Sequence, residues 1–131
     1  MEKASGDSVP SVAYIIEPMR LRDIPEVMEI ERASFPMPWS PHSYRYEILQ
    51  NDRSHYYVLR PRLAEQRGGW WEKVQRALGW GRRGPVLGYG GFWLVAGEAH
   101  ISTIAVHPEW RGRGLGELLL AHMLEQATAL G

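Results

Sequence analysis

The 131-residue sequence contains no cysteine. That absence removes disulfides, thiolate nucleophiles and zinc–thiolate centres together, and no metal site of any other kind is expected. It also agrees with a reducing compartment, so a cytoplasmic location is expected. There is no surplus of charge, because fifteen Lys and Arg balance fifteen Asp and Glu. A neutral chain has no global field with which to gather nucleic acid, and no such partner is expected. No apolar run approaches the ~20 residues a membrane span needs. The N-terminus also lacks a signal-like apolar core. Residues 1–13 are small, polar and aperiodic, and they read as a flexible leader to one domain, 14–131. At 44% hydrophobic content, that domain has enough apolar side chains for one core.

What is present is concentrated at the end of the chain. Ile101 to Val106 is rich in β-branched residues and is stopped by Pro108, which predicts a strand. A helix is predicted from near Gly114 to Gly131, with Leu115, Leu119, Leu120, Met123, Ala127 and Leu130 on one broad face. Between them lies Arg111-Gly112-Arg113-Gly114-Leu115-Gly116. A helix start leaves backbone N–H groups unpaired and carries partial positive charge. Glycines let a phosphate approach those groups, and arginines add full charge. The loop therefore predicts a phosphorylated or pyrophosphate-bearing ligand.

Two well-known phosphate loops do not match. The Walker loop needs Gly-Lys followed by Ser or Thr, which the sequence lacks. The dinucleotide fingerprint needs G-x-G-x-x-G early in a βαβ unit, whereas the spacing here is G-x-G-x-G near the end of the chain. The run resembles the acetyl-coenzyme A loop of the GNAT N-acetyltransferase superfamily, R/Q-x-x-G-x-G/A, at every specified position. That resemblance implies that Arg111, Gly112, Arg113, Gly114, Leu115, Gly116 and Glu117 hold the pyrophosphate of acetyl-CoA. It further implies that backbone groups of Ile104, Ala105 and Val106 pair with the pantetheine arm beside a bulge that ends the strand.

Upstream, Tyr14 to Met19 reads as a strand. Asp23 looks like an N-cap, with Pro25 in the first turn of a helix whose stripe is Ile24, Val27, Met28 and Ile30. Ser40-Pro41 opens a second helix carrying Tyr44, Ile48 and Leu49. The phrase Glu29-Ile30-Glu31-Arg32-Ala33-Ser34-Phe35-Pro36-Met37-Pro38-Trp39-Ser40 resembles the first-helix and loop segment of bacterial ribosomal-protein alanine N-acetyltransferases. By that resemblance, Phe35 and Trp39 shape the groove for the acceptor's N-terminal residues. As residues alone, they also suit plugs in the hydrophobic core.

His55 to Leu59 is a predicted strand. Residues 60–84 then form an insert with seven Lys or Arg against two Glu, plus Trp70, Trp71 and Trp80. Trp70, Val74 and Leu78 predict a short amphipathic helix there, either packed on its own domain or gripping a membrane surface or acidic partner. Val86 to Val95 and Glu98 to Val106 form a hairpin around Ala96-Gly97, and Gly88, Gly90 and Gly91 predict a bulge or a close backbone approach.

The resemblance implies an α/β fold of layered α+β type: a mixed, mostly antiparallel sheet with helices on both faces, lacking the family's C-terminal strands. It implies acetyl transfer from acetyl-CoA to the N-terminal α-amino group of a protein, such as a ribosomal protein. The family's catalytic glutamate and tyrosine fall beyond Gly131, so no catalytic pair is assigned. His100, on the last strand, is a candidate substitute because imidazole works near neutral pH. Two other readings stand beside this one: a non-catalytic acetyl-CoA-binding module, and an interaction protein acting through the Trp-rich insert. An incomplete sheet also allows strand exchange between copies, and hence a homo-oligomer.

Overall fold

The computed structural model describes residues 13–62 and 84–131. The leader and nearly all of the basic insert, with the expectations attached to them, lie outside the described residues. Four strands form one antiparallel sheet in the order β1 (Tyr14–Pro18), β2 (Ser54–Pro61), β3 (Gly88–Val95) and β4 (Glu98–Val106). Two helices, α1 (Ile24–Ser34) and α2 (Pro41–Gln50), lie between β1 and β2, and α3 (Leu115–Leu130) follows β4.

Successive strand residues point to opposite faces, so each face builds its own core. Tyr56, Val58, Tyr89 and Ala105 meet Ile24, Val27, Met28 and Ile30 of α1 and Tyr44 of α2. On the other face Tyr57, Leu59 and Phe92 meet Leu115, Leu119 and Met123 of α3. Helices thus cover both faces, as expected. Each fully buried side chain of this size contributes about 1.5–3 kcal/mol.

The glycines of β3 explain how the two layers come so close. A Cβ on Gly91 would lie 2.2 Å from the ring of Tyr56, and one on Gly90 would lie 2.8 Å from Met123 Sδ. The close approach expected of them is present, but the extra residue of the bulge belongs to β4. Gly91 pairs with Thr103 and Phe92 with Ile101, which leaves Ser102 over. The bulge therefore precedes Ile104, Ala105 and Val106 instead of ending the strand. At the hairpin tip, Ala96 and Gly97 both have positive φ, the backbone of a tight two-residue turn.

Several sequence expectations need correction. Asp23 does not cap α1; its backbone is already helical. Its carboxylate accepts instead from Arg20 N at 2.8 Å and from the Arg60 guanidinium. Arg60 is not insert but a buried residue of β2, which continues to Pro61. On α2, Leu49 is exposed, and the buried residues are Tyr44 and Glu47. On α3 the buried residues are Leu115, Leu119 and Met123, a strict i, i+4 stripe, while Leu120 and Leu130 are exposed. Ser40 does cap α2 as expected, accepting from Ser43 N at 3.1 Å.

Candidate active site

The C-terminal end of β4, the start of α3 and the end of α1 converge on a cleft of about 590 Å³. Its walls include Ile104, Ala105 and Val106 from β4, Arg111, and Gly116 and Glu117 from the first turn of α3. Ser34, Phe35 and Leu120 complete it. Six residues expected at a coenzyme and one expected at an acceptor therefore share one space. Leu120 explains its own exposure here, because it leaves the α3 core stripe to face the cleft.

The loop entering α3 takes its shape from glycine. Gly112 and Gly114 have φ of +79° and +82°, the left-handed region that side chains with a Cβ disfavour. Gly116 is different: its φ is ordinary, and a Cβ there would meet only Val106 Cγ2 at 3.8 Å. The protein's own packing does not require that glycine, and the space beside it belongs to the cleft. No side chain caps the start of α3, so the N–H groups of its first turn have no side-chain acceptor.

The two arginines divide their work. Arg111 donates from Nε to Val106 O and from Nη2 to Ser34 Oγ, both at 2.9 Å, and so ties the end of β4 to the end of α1. A guanidinium has five N–H donors, and these two bonds use two of them. Arg113 does not line the cleft; it lies over the Trp110 ring, 4.6 Å from its centroid, in a cation–π contact. Gly112 and Gly114 shape the loop without lining the cleft, and Leu115 is buried in the core beneath it.

Phe35 and Trp39, the two residues expected at an acceptor, both pack against the α1–α2 core, and only Phe35 also reaches the cleft. Trp39 lies 5.1 Å from Tyr44 and 6.3 Å from Tyr56, centroid to centroid. The loop between them is fixed by Glu31, a carboxylate only 3% exposed. It accepts from Trp39 N at 2.9 Å, from Tyr44 Oη at 2.7 Å and from Tyr89 Oη. Burial, and then the bond to Glu31, push both tyrosines above the ordinary phenol value. A second buried carboxylate, Glu47, accepts from Trp93 Nε1 at 2.7 Å and from Asn51 Nδ2. Neither glutamate makes an ion pair among the described residues; hydrogen bonds alone satisfy them.

The sequence alone gives Ser34, Glu31 and Glu47 no role at the site, and it places Leu120 on the core face of α3 and not at the cleft. For Glu31 a signal existed, because it lies four residues after Val27 on the apolar stripe of α1. His100 is not brought to the cleft. It is exposed near the hairpin tip, 3.3 Å from Glu98.

The family profile described as the acetyltransferase (GNAT) family matches residues 24–131. A protein of Bacillus subtilis (strain 168), described provisionally as a ribosomal protein bS18-alanine N-acetyltransferase, is 36% identical over 107 residues. Those residues are 82% of this chain and 57% of that relative, so the chain spans little more than half the relative's length. The ribosomal-protein-S18-alanine N-acetyltransferase of Escherichia coli superposes with a TM-score of 0.64 at 22% identity, over 90% of this chain and 61% of that one. Arabidopsis thaliana NAA60, in a complex with acetyl-CoA, superposes with a TM-score of 0.63 at 12% identity, over 88% of this chain and 68% of that one. These two likenesses carry the fold, while the profile and the Bacillus relative carry the kinship: the chain belongs to the acetyltransferase (GNAT) family.

Proposed function

We propose that this chain binds acetyl-CoA in the cleft between β4 and α3 and serves transfer of the acetyl group to the N-terminal α-amino group of a protein. The observation that carries the reading is the convergence of Ile104–Val106, Arg111, Gly116 and Glu117 on one cleft that also holds Phe35. A pyrophosphate suits the start of α3, where uncapped N–H groups, the helix dipole and Arg111 act together. The open space at Gly116 suits it as well, since a longer side chain there would fill the cradle. β4 is an edge strand among the described residues, and its outward N–H and C=O groups suit the amides of a pantetheine arm.

The acceptor reading rests on the Bacillus relative, whose description names a ribosomal protein's alanine. An aromatic loop held rigid by Glu31 suits a short peptide end. Acetyl transfer needs the amine neutral and the thioester carbonyl polarised. A ribosomal acceptor would put the protein in the cytoplasm.

The test is mass spectrometry of peptides incubated with the protein and acetyl-CoA. One peptide begins with a free alanine, and its partner has the same sequence with a blocked α-amino group. The reading predicts one acetyl group on the free α-nitrogen and none on the blocked peptide. Acetylation confined to lysine side chains would contradict it, and coenzyme binding without any transfer would favour the non-catalytic module.

A further inference from the structure

Tyr56 and Ser102 place a pair of hydroxyls beside the β4 bulge, two residues before the part of β4 that lines the cleft. Their oxygens are 2.8 Å apart. Ser102 is the extra residue of the β4 bulge and is half-buried, so its hydroxyl remains reachable. Tyr56 is buried on β2, and its ring rests against the backbone of Gly91, where no Cβ has room. Trp39 of the acceptor loop and Tyr44 hold the same ring from the other side, at 6.3 and 5.8 Å. The pair therefore touches the acceptor side through Trp39 and the coenzyme side through β4.

The reach of the coenzyme selects this point. From Val106 back to Ser102 is four residues of strand, roughly 13 Å at the usual rise. A pantetheine arm holds two amide units and their spacers, about the length of four to five residues of extended chain. An arm anchored at Arg111 and Gly116 and paired along the β4 edge thus ends near the bulge. On the α1–α2 face at that point, Ser102 and Tyr56 present hydroxyl oxygens.

We propose that Ser102 Oγ accepts a hydrogen bond from the acceptor's amino N–H, and that Tyr56 is the positioning residue that fixes this hydroxyl. With Tyr56 as the donor of that bond, one lone pair of Oγ is taken and the other is left for the amine. Burial pushes the Tyr56 phenol up to about 12, so it keeps the proton it donates throughout the neutral range. The contact moves no proton and leaves the amine's own lone pair aimed at the thioester carbon. This assignment rests on the acetyl-CoA reading above and deepens it.

The experiment titrates two ligands: acetyl-CoA, and a bisubstrate probe in which coenzyme A is joined through its acetyl carbon to the α-nitrogen of a short peptide beginning with alanine. The probe's amide N–H stands in for the amine's. Ser102→Ala and Tyr56→Phe should each weaken the probe by about 3- to 10-fold, the range of one hydrogen bond, and leave acetyl-CoA within about twofold. Ser102→Thr, which restores the hydroxyl on a strand-compatible side chain, should recover probe affinity. Probe affinity unchanged in Ser102→Ala would overturn the assignment, and so would equal weakening of both ligands. Failure of the unsubstituted protein to bind acetyl-CoA would overturn the reading beneath it, and that result is read before any variant is made.

Discussion

Gly112, Gly114 and Gly116 look alike in the sequence, yet they do different things. The first two supply a left-handed backbone that turns the chain from the short helical turn at Pro108–Trp110 into α3. The third leaves room. Gly114→Ala should therefore lower stability by about 1–2 kcal/mol, the cost of a Cβ at positive φ, read as a shift in the urea midpoint. A loop of this kind is legible because glycine spacing reports backbone geometry directly. The partners of Glu31 were not, because Tyr44 and Tyr89 lie 13 and 58 residues away in the chain. Its place on the apolar stripe of α1 signals burial, but nothing local names the phenols that will satisfy it.

At the scale of elements, period carried the reading and stopped at its limits. The strand-loop-helix unit at the end of the chain was legible because β-branched residues give way to a 3.6-residue repeat. The wheel of α3 could not separate Leu119 from Leu120, which lie 100° apart, so a broad face was assigned where only 115, 119 and 123 are buried. The bulge was assigned too late in β4 because an extra residue leaves no compositional mark on its own strand. Two histidines seat this α3 side of the sheet: His122 packs edge-on to Tyr57 at 4.8 Å, and His55 stacks on Phe92 at 5.2 Å. Burial lowers both below the ordinary imidazole value, with Glu125 pulling His122 partly back. In the unfolded chain they titrate near 6.5, so below that pH the unfolded state binds more protons than the folded one. Stability should be full above about pH 7 and decline as pH falls through about 6.5. Urea midpoints at two pH values on either side of that window, repeated with His55→Gln and His122→Gln combined, should show a smaller decline in the variant.

For the whole molecule, the described parts are joined by one buried cation. Arg60 donates to Glu17 at 3.1 Å, to Asp23 and to Gly84 O at 2.6 Å, linking β1, the short helical turn Leu21–Asp23, β2 and the segment that leads into β3. Glu26 lies 4.0 Å from it and accepts from Val86 N. Removing the cation would leave Asp23, only 1% exposed, as an unpaired buried charge. Arg60→Ala should therefore cost about 3–5 kcal/mol of unfolding free energy in a denaturant titration. A substitution limited to an exposed surface pair would cost below about 1 kcal/mol.

Calorimetric titration of the chain with acetyl-CoA, paired with Gly116→Glu, decides whether the cleft beside Gly116 is an acetyl-CoA site. The new side chain has room, and its charge suits a helix start, so the fold and its urea midpoint should be preserved. Saturable binding by the unsubstituted chain and at least about tenfold weaker binding by the variant are expected, since a carboxylate would occupy the pyrophosphate cradle. Equal affinity in the two folded proteins, or no binding by the unsubstituted one, would contradict that assignment.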